Sequence, residues 1–411
     1  APIPQFVNAL KIAGIEVSPE QIRQGLTYQV LMDKDGNPFV VGVYNLDPSL
    51  FPAEYRDLAG PIPLFIAEQD ENGEWGWRNL NSKIAANKKN LSLGVLVGLY
   101  PGSPDLGKLL EIQSTYFNSA LINVFWSNLQ PTNTPIDFSK SGVDYNINFA
   151  QKSNMKKSVG IALIWAADAP NWLRTEGFSK EQLTEIMTSH INQVVSRYKG
   201  KVGAWIVVNE AYFPPYRTDD VFYKTIGPDY IEIAFKTARE TDPSATLLYN
   251  DAQNETPYGL TTSHTKKIVD DLKSKGLIDA VGLQMHLDGT NPPSKEDLVA
   301  TMKSYGLPIY ITEFDVNMKD VKGTREERNL IAAEIFRTVI EAAAESGVCN
   351  DVFVFQVGDK YSVWENFPGY GFSKDADPTP FDDNLAPKLS YYTMLASIIF
   401  SNFSPNSLGT R

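Results

Sequence analysis

Two glutamates each stand at the end of a short apolar run. Glu210 follows Ala-Trp-Ile-Val-Val-Asn, and Glu313 follows Leu-Pro-Ile-Tyr-Ile-Thr. Both runs have the length and apolarity of buried parallel strands, so each carboxyl is expected at the C-terminal end of a strand. In an α/β barrel that end carries the catalytic groups. A pair of carboxyls there could hydrolyse a glycosidic bond, whereas two unrelated solvated glutamates are the simpler alternative.

The elements that must position this pair alternate regularly from about residue 90 onward. The clearest helix is expected over 180–198, where Ser179 and Gln182 form a capping box and Gly200 follows the end. Short apolar runs separate the amphipathic segments and are the strand candidates: 92–97, 121–126, 159–165, 204–208, 246–249, 280–285, 308–311 and 351–357. Eight such units predict a (β/α)8 TIM barrel. An open, doubly wound sheet is the alternative, but the chain lacks the phosphate-binding loop of that fold.

The first part of the chain has a different pattern. Tyr28, Val30 and Met32 alternate with more polar residues, a turn is expected at 34–37, and a second strand-like run covers 39–44. We therefore divide the chain into a β-rich accessory region, residues 1–88, and a catalytic barrel domain, residues 89–411. Residues 81–90, rich in Asn, Lys and Ser, are the expected linker.

Composition excludes several classes of function. The 411 residues carry a formal net charge of −12, which opposes binding to nucleic acid or to an anionic membrane surface. With three histidines and a single cysteine, Cys349, and without a phosphate-binding or zinc motif, no metal or organic cofactor is expected. The chain begins at Ala1 without a signal peptide, and we expect one to have been removed from a secreted, monomeric protein.

Further polar and aromatic residues are expected around the two glutamates. His286 could orient the nucleophile and control its charge, and Asp315 lies two residues beyond Glu313 on the same strand face, with a helix cap as its alternative role. The remaining candidates for contact with a carbohydrate substrate follow other strands: Asn209, Gln284, Trp126, Trp165 and Trp364.

Several of these motifs together resemble one family. Residues 205–211, Trp-Ile-Val-Val-Asn-Glu-Ala, resemble the Trp-Asp-Val-Val-Asn-Glu-Ala signature of glycoside hydrolase family ten, the barrel xylanases. Gly-Leu-Gln-Met-His at 282–286 and Ile-Thr-Glu-Phe-Asp at 311–315 resemble its sixth- and seventh-strand motifs. The resemblance covers roughly residues 90–400.

The resemblance implies roles for individual residues in a retaining mechanism. It implies Glu210 as acid/base and Glu313 as nucleophile, with Asn209 hydrogen-bonded to the sugar 2-hydroxyl. His286 and Asp315 would surround Glu313. The remaining residues implied to line the site are Gln284, Trp165 and Trp364.

Other positions depart from the family pattern. Phe125 stands where the family carries a lysine on strand two, Ile161 and Ala166 stand in place of two histidines, and Phe355 aligns with a tryptophan. In the family these residues contact the sugars on the non-reducing side of the cleaved bond. We therefore expect a xylanase-like retaining hydrolase of β-1,4-linked plant-type polysaccharide with a weakened or altered preference for the glycone. The alternatives are a β-glycosidase of the same fold with a glycone other than xylose, and a carbohydrate-binding protein with little catalysis.

Overall fold

The computed structural model describes residues 2–32, 36, 38–78, 91–98, 103–155, 157–212, 219–366 and 373–400. The expected linker at 81–90 lies outside the described residues, as does most of the expected turn at 34–37. Within the described ranges, the structure contains no helix of the length and apolarity needed to cross a membrane.

The strands form a small antiparallel sheet, β1–β4, and a closed parallel barrel that uses all the later strands. Their bounds in chain order are β1 Leu26–Met32, β2 Pro38–Leu46, β3 Gly60–Gln69, β4 Trp75–Arg78, β5 Ser92–Val97, β6 Ser119–Asn123, β7 Lys157–Ile161, β8 Ile164–Trp165, β9 Ala204–Asn209, β10 Thr246–Asp251, β11 Ala280–Leu283, β12 His286–Asp288, β13 Ile309–Asn317 and β14 Cys349–Val354. The barrel closes where β14 pairs with β5 in parallel. The predicted (β/α)8 barrel is confirmed.

Helices cover the outside of the barrel and also begin the chain. Their bounds are α1 Pro2–Ile12, α2 Pro19–Gly25, α3 Leu106–Tyr116, α4 Trp126–Leu129, α5 Val143–Lys152, α6 Asn171–Thr175, α7 Lys180–Tyr198, α8 Val221–Ile226, α9 Tyr230–Thr241, α10 Thr262–Ser274, α11 Lys295–Ser304, α12 Arg325–Ser346, α13 Val363–Asn366 and α14 Leu389–Phe400. The expected helix at 180–198 has the predicted bounds, and Ser179 and Gln182 form its capping box. Its apolar face packs on the barrel because those side chains recur at the helical period.

Two barrel strands carry an extra residue close to the catalytic candidates, before Glu210 in β9 and around Glu313 in β13. Along β9, Ile206 pairs with Leu248 and Val208 already pairs with Tyr249, so β9 has one residue more than β10 at this point. Along β13, Ile311 pairs with Val352 and Phe314 pairs with Val354. Between these two pairs the chain advances by three residues in β13 and by two in β14, so β13 has one residue more. Such bulges redirect the side chains that follow them.

The third barrel strand is interrupted, unlike the continuous strand expected over 159–165. β7 ends at Ile161, and β8 contains only Ile164 and Trp165. Gly160 pairs with Trp205, and Ile164 pairs with Val208. Between these two pairs the chain advances by four residues from β7 to β8 and by only three along β9. The extra residue brings Trp165 into register with Asn209.

The N-terminal region contains helices as well as the expected strands. α1 lies against α14, with the rings of Phe6 and Tyr392 4.8 Å apart between centroids, and β3 also packs on α14. α14 in turn packs against α12 of the barrel. The inner face of the small sheet is buried and apolar, through Val41, Val43 and Ile66. The region is therefore attached to the outer helices of the barrel.

Candidate active site

Glu210 and Glu313 both project from the C-terminal ends of barrel strands into the mouth of the barrel. Glu210 directly follows β9, with its backbone in the left-handed region at φ 54°. A non-glycine residue there costs about 1–3 kcal/mol. Its N–H donates to the carbonyl of Asn250 at 2.9 Å, which fixes this conformation. Glu313 lies inside β13, and each glutamate is only 6% exposed.

Two side chains hold the carboxyl of Glu210. Gln284 Nε2 donates to Oε1 at 2.6 Å, and Trp165 Nε1 donates to Oε2 at 2.8 Å. Trp165 reaches Glu210 because the extra residue between β7 and β8 brings it level with Asn209. The glutamate side chain is thus fixed at both oxygen atoms.

Asn250 connects the two halves of the site. Its Nδ2 donates to Asn209 Oδ1 at 2.8 Å and to Glu313 Oε1 at 3.1 Å. The hydroxyl of Thr312 donates to Asn250 Oδ1 at 2.7 Å, which fixes the orientation of the amide. Gln284, which holds Glu210, also reaches Asn209 Oδ1 at 3.5 Å. The two carboxyl groups therefore belong to one pocket with a shared set of amides.

His286 lies between two carboxylates. Its Nε2 is 2.9 Å from Glu313 Oε2, and its Nδ1 is 2.7 Å from Asp315 Oδ1. Burial alone would lower the pKa of His286, but the charge of Asp315 and the hydrogen bonds to both carboxylates raise this pKa well above its ordinary value. The imidazole is therefore positively charged and donates from both nitrogens. This places a positive charge 2.9 Å from the Glu313 carboxyl.

Glu210 lies in an environment that favours its protonated form. Burial, together with repulsion from Glu313, raises the pKa of Glu210 to about 8, although the hydrogen bond from Gln284 acts in the other direction. At neutral pH Glu210 therefore keeps its proton, next to a second carboxyl that contacts a charged imidazole. This combination can donate a proton to a leaving oxygen and attack an electrophilic carbon.

The structure brings most of the expected site residues together. Asp315 contacts His286 and is not the cap of a helix, since it lies inside β13. The Trp364 ring is 6.1 Å from the His286 ring. Burial raises the pKa of Asp315, while His286 and the Trp364 indole act in the opposite direction.

Trp126 does not lie with these residues, contrary to the expectation. It begins α4, is 2% exposed, and stacks on His190 with 3.8 Å between ring centroids. Phe125 precedes it and occupies the mouth side of the chain, 5.6 Å from the Trp165 ring. Because successive side chains of an extended chain alternate, Trp126 points away from the barrel axis and packs under the surrounding helices.

The main residue that sequence reasoning left without a role is Asn250. It belongs to Tyr-Asn-Asp at 249–251, a polar ending to a buried strand like that at Asn209 and Glu210. Next to it, the Asp251 carboxyl accepts from the Tyr249 hydroxyl at 2.6 Å, and burial raises the pKa of Asp251 to about 7. Asn250 could have been predicted as a site residue because it is a polar residue at the end of an otherwise apolar run.

Comparison with known proteins gives a consistent set of similarities. Endo-1,4-beta-xylanase B of Thermotoga neapolitana is 32% identical over 329 residues, which are 78% of this chain and 92% of that protein. The crystal structure of xylanase 10B from Thermotoga petrophila in complex with xylobiose has a TM-score of 0.69 at 29% identity, covering 80% of this chain and 100% of that chain. Native xylanase 10B from Thermotoga maritima has the same TM-score and identity, over 79% and 98% of the two chains.

The similarity covers the part of the chain that builds the pocket. Residues 103–397 match the sequence pattern described as "Glycosyl hydrolase family 10", and all the described residues that hold Glu210 and Glu313 fall in this range. The match extends over well over half of the chain and includes the strands from β6 to β14. With this extent of match and a related protein similar along nearly its whole length, the chain belongs to glycosyl hydrolase family 10.

Proposed function

We propose that this protein hydrolyses β-1,4-linked xylan or its fragments with retention of configuration at the anomeric carbon. The observation that carries the proposal is the carboxyl pair in one pocket, in which burial raises the pKa of Glu210 while Glu313 lies 2.9 Å from the charged His286. The names of the similar proteins favour xylan as the substrate. We further propose a monomeric, secreted enzyme, with residues 1–88 as an accessory region.

The proposed reaction has two steps. In the first, Glu210 donates its proton to the leaving oxygen while a Glu313 oxygen attacks the anomeric carbon, which breaks the glycosidic bond and forms a glycosyl ester. In the second, the Glu210 carboxylate takes a proton from water, and the water oxygen displaces Glu313 from the anomeric carbon. Both glutamates return to their starting states, and no electron transfer or cofactor takes part.

Asn209, Gln284 and His286 have supporting roles in this proposal. Asn209 is positioned by Asn250 beside both carboxyls and would bond the 2-hydroxyl of the sugar undergoing substitution. Gln284 orients Glu210, and His286 orients Glu313. We propose Trp165 and Trp364 as walls of the sugar site.

A β-glycosidase with a different glycone is the second candidate. It is favoured by the apolar ring of Phe125 beside Trp165, and by Phe355, whose ring is 5.2 Å from His286. A protein that only binds carbohydrate is a weaker candidate, since binding does not require a pair of carboxyls in which one has a raised pKa.

A panel of aryl glycosides tests the proposal. We expect release of 4-nitrophenol from the β-xylobioside at a higher kcat/KM than from the β-cellobioside, and the first xylobiose seen by proton NMR should be the β-anomer. Higher activity on the cellobioside would establish the second candidate instead. No release from any member of the panel, or an initial α-anomer, would contradict the proposed function.

The pH dependence gives a second test. Glu210 must carry a proton in the first step, so kcat/KM for a xyloside with a poor leaving group should fall as the pH rises through about 8. The loss should follow a single ionisation, because above this pH the protonated fraction decreases tenfold per pH unit. Initial rates between pH 5 and 10 check this. A basic limb that persists unchanged in Glu210→Ala would assign the ionisation to another group.

A further inference from the structure

One buried hydroxyl contacts the site without taking part in the proposed reaction. Thr312 comes directly before Glu313 in β13, and its side chain is fully buried. Its Oγ1 lies 2.7 Å from Asn250 Oδ1 and 3.4 Å from the carbonyl oxygen of Leu283. A hydroxyl has a single hydrogen to donate, and the shorter distance assigns that hydrogen to Asn250.

The contacts of Asn250 determine which end of its amide faces the catalytic pocket. The two ends of an amide have nearly the same shape, so the groups around them decide which end lies where. The NH2 end faces two acceptors, Asn209 Oδ1 at 2.8 Å and Glu313 Oε1 at 3.1 Å. The oxygen end faces the Thr312 hydroxyl. If the amide turned over, its oxygen would lie against two other oxygens, so Thr312 supports the orientation that serves the pocket.

The space for the amide oxygen of Asn250 is provided by Gly282. The two residues pair in register between β10 and β11. A Cβ atom built on Gly282 would lie 2.2 Å from Asn250 Oδ1 and 2.9 Å from its Cγ, and both distances are too short for atoms that are not bonded. A larger residue at this position would therefore push the amide away from Thr312.

Asn209 in turn is oriented by Asn250. Its Oδ1 accepts from Asn250 Nδ2 at 2.8 Å and lies 3.5 Å from Gln284 Nε2, so the oxygen end of the Asn209 amide is turned toward these donors. The NH2 end is then the one that remains for a sugar hydroxyl. Since an NH2 group only donates, the 2-hydroxyl must accept from Asn209 with its oxygen. Recognition of the 2-hydroxyl therefore depends on the position of Asn250.

We propose that Thr312 is a positioning residue for recognition of the sugar 2-hydroxyl, and that it acts through Asn250 on Asn209. The inference rests on the proposed function and names a further determinant of its specificity. Each group donates to the next, from the Thr312 hydroxyl through the two amides to the sugar oxygen, and hydrogen bonds in such a series strengthen one another. Without the hydroxyl, the fully buried Asn250 oxygen loses a donor, so its amide turns toward other donors and no longer holds Asn209.

The test compares 4-nitrophenyl β-D-xylopyranoside with its 2-deoxy derivative in the unmodified protein and in two variants. Thr312→Val keeps the shape of the side chain without the hydroxyl, and Thr312→Ser keeps the hydroxyl without the methyl group. We expect the ratio of kcat/KM for the xyloside to that for the 2-deoxy derivative to fall roughly ten-fold in Thr312→Val. In Thr312→Ser the ratio should stay within about two-fold of the unmodified protein. The higher intrinsic reactivity of the 2-deoxy sugar is common to all three proteins and cancels.

The ratio separates positioning from a general loss of structure. A damaged fold would lower kcat/KM for both substrates and leave their ratio unchanged. Thermal melting curves verify the folding of each variant, and Thr312→Ala replaces Thr312→Val if the latter does not fold. Gly282→Ala displaces the Asn250 oxygen through a different contact and should lower the ratio in the same direction.

Failure of the inference and failure of the proposed function differ in outcome. An unchanged ratio in the variant without the hydroxyl or in Gly282→Ala overturns the inference, as does a decrease in Thr312→Ser as large as that in Thr312→Val. The proposed function then still stands, because the unmodified protein hydrolyses the xyloside. If the unmodified protein releases 4-nitrophenol from neither substrate, both are overturned.

Discussion

Replacement of Glu313 by alanine is expected to reduce kcat on aryl β-xylosides by about 10⁵-fold. Without this carboxylate no glycosyl ester can form, and His286 loses one of its two charged partners. Glu345→Ala is a suitable control, because Glu345 is exposed on α12 and forms an ion pair with Lys295 at the surface. This control should keep the activity of the unmodified enzyme. Stopped and continuous assays of 4-nitrophenol release measure both variants.

Added azide distinguishes a lost nucleophile from a misfolded protein. Azide is small enough to enter the space left by the carboxyl and can attack the anomeric carbon directly. Because only one displacement then takes place, the product should be the α-glycosyl azide, of inverted configuration. Proton NMR identifies the anomer. Undiminished hydrolysis in Glu313→Ala, or rescue that gives the β-azide, would remove Glu313 from the role of nucleophile.

Replacement of Glu210 by alanine is expected to have an effect that depends on the leaving group. For a phenyl xyloside, whose oxygen needs protonation, we expect kcat/KM to fall by about 10²–10⁴-fold, the usual contribution of a positioned acid. For a 2,4-dinitrophenyl xyloside the first step needs no acid, so kcat/KM should change little. Steady-state rates across a series of substituted phenols measure the slope against leaving-group pKa.

The second step should also respond to the loss of Glu210. Water is no longer deprotonated, so the glycosyl ester should accumulate with the activated substrate, and azide should release it as the β-glycosyl azide. Glu210→Gln is the control of equal shape, and it should show the same dependence on the leaving group. Equal losses for all leaving groups would indicate that Glu210 acts in binding and not in proton transfer.

The strands that carry the two glutamates could be predicted from the sequence, but the directions in which their side chains point could not. The runs before Glu210 and Glu313 are apolar enough to mark buried parallel strands, and that places both residues at one end of a barrel. Strict alternation along β9 would put Ile206 and Val208 on the inner face and Asn209 on the outer face. The extra residue of β9 opposite β10 exchanges the inner and outer faces for the residues after Ile206. The position of such a bulge depends on how β9 pairs with its neighbouring strand, which the sequence of β9 alone does not show.

The differences between the expected and the observed site have two origins. Trp126 is a candidate for substrate contact because it follows a strand, yet period-two alternation from Leu121 points to Phe125 as the ring on the barrel side. The direct contact of Trp165 with Glu210 could not be foreseen, since it depends on the interruption between β7 and β8. His286 and Asp315 lie side by side next to Glu313, because β12 and β13 pair in simple register.

The packing of α1 on α14 has a consequence for how the chain is made. Phe6 is fully buried, and one ring that covers it belongs to Tyr392, close to the other end of the sequence. In a nascent chain, α1 leaves the ribosome long before that partner has been synthesised. Until α14 emerges, the apolar surface around Phe6 stays open to water or to a chaperone, so this contact forms only after synthesis has passed the last barrel strand.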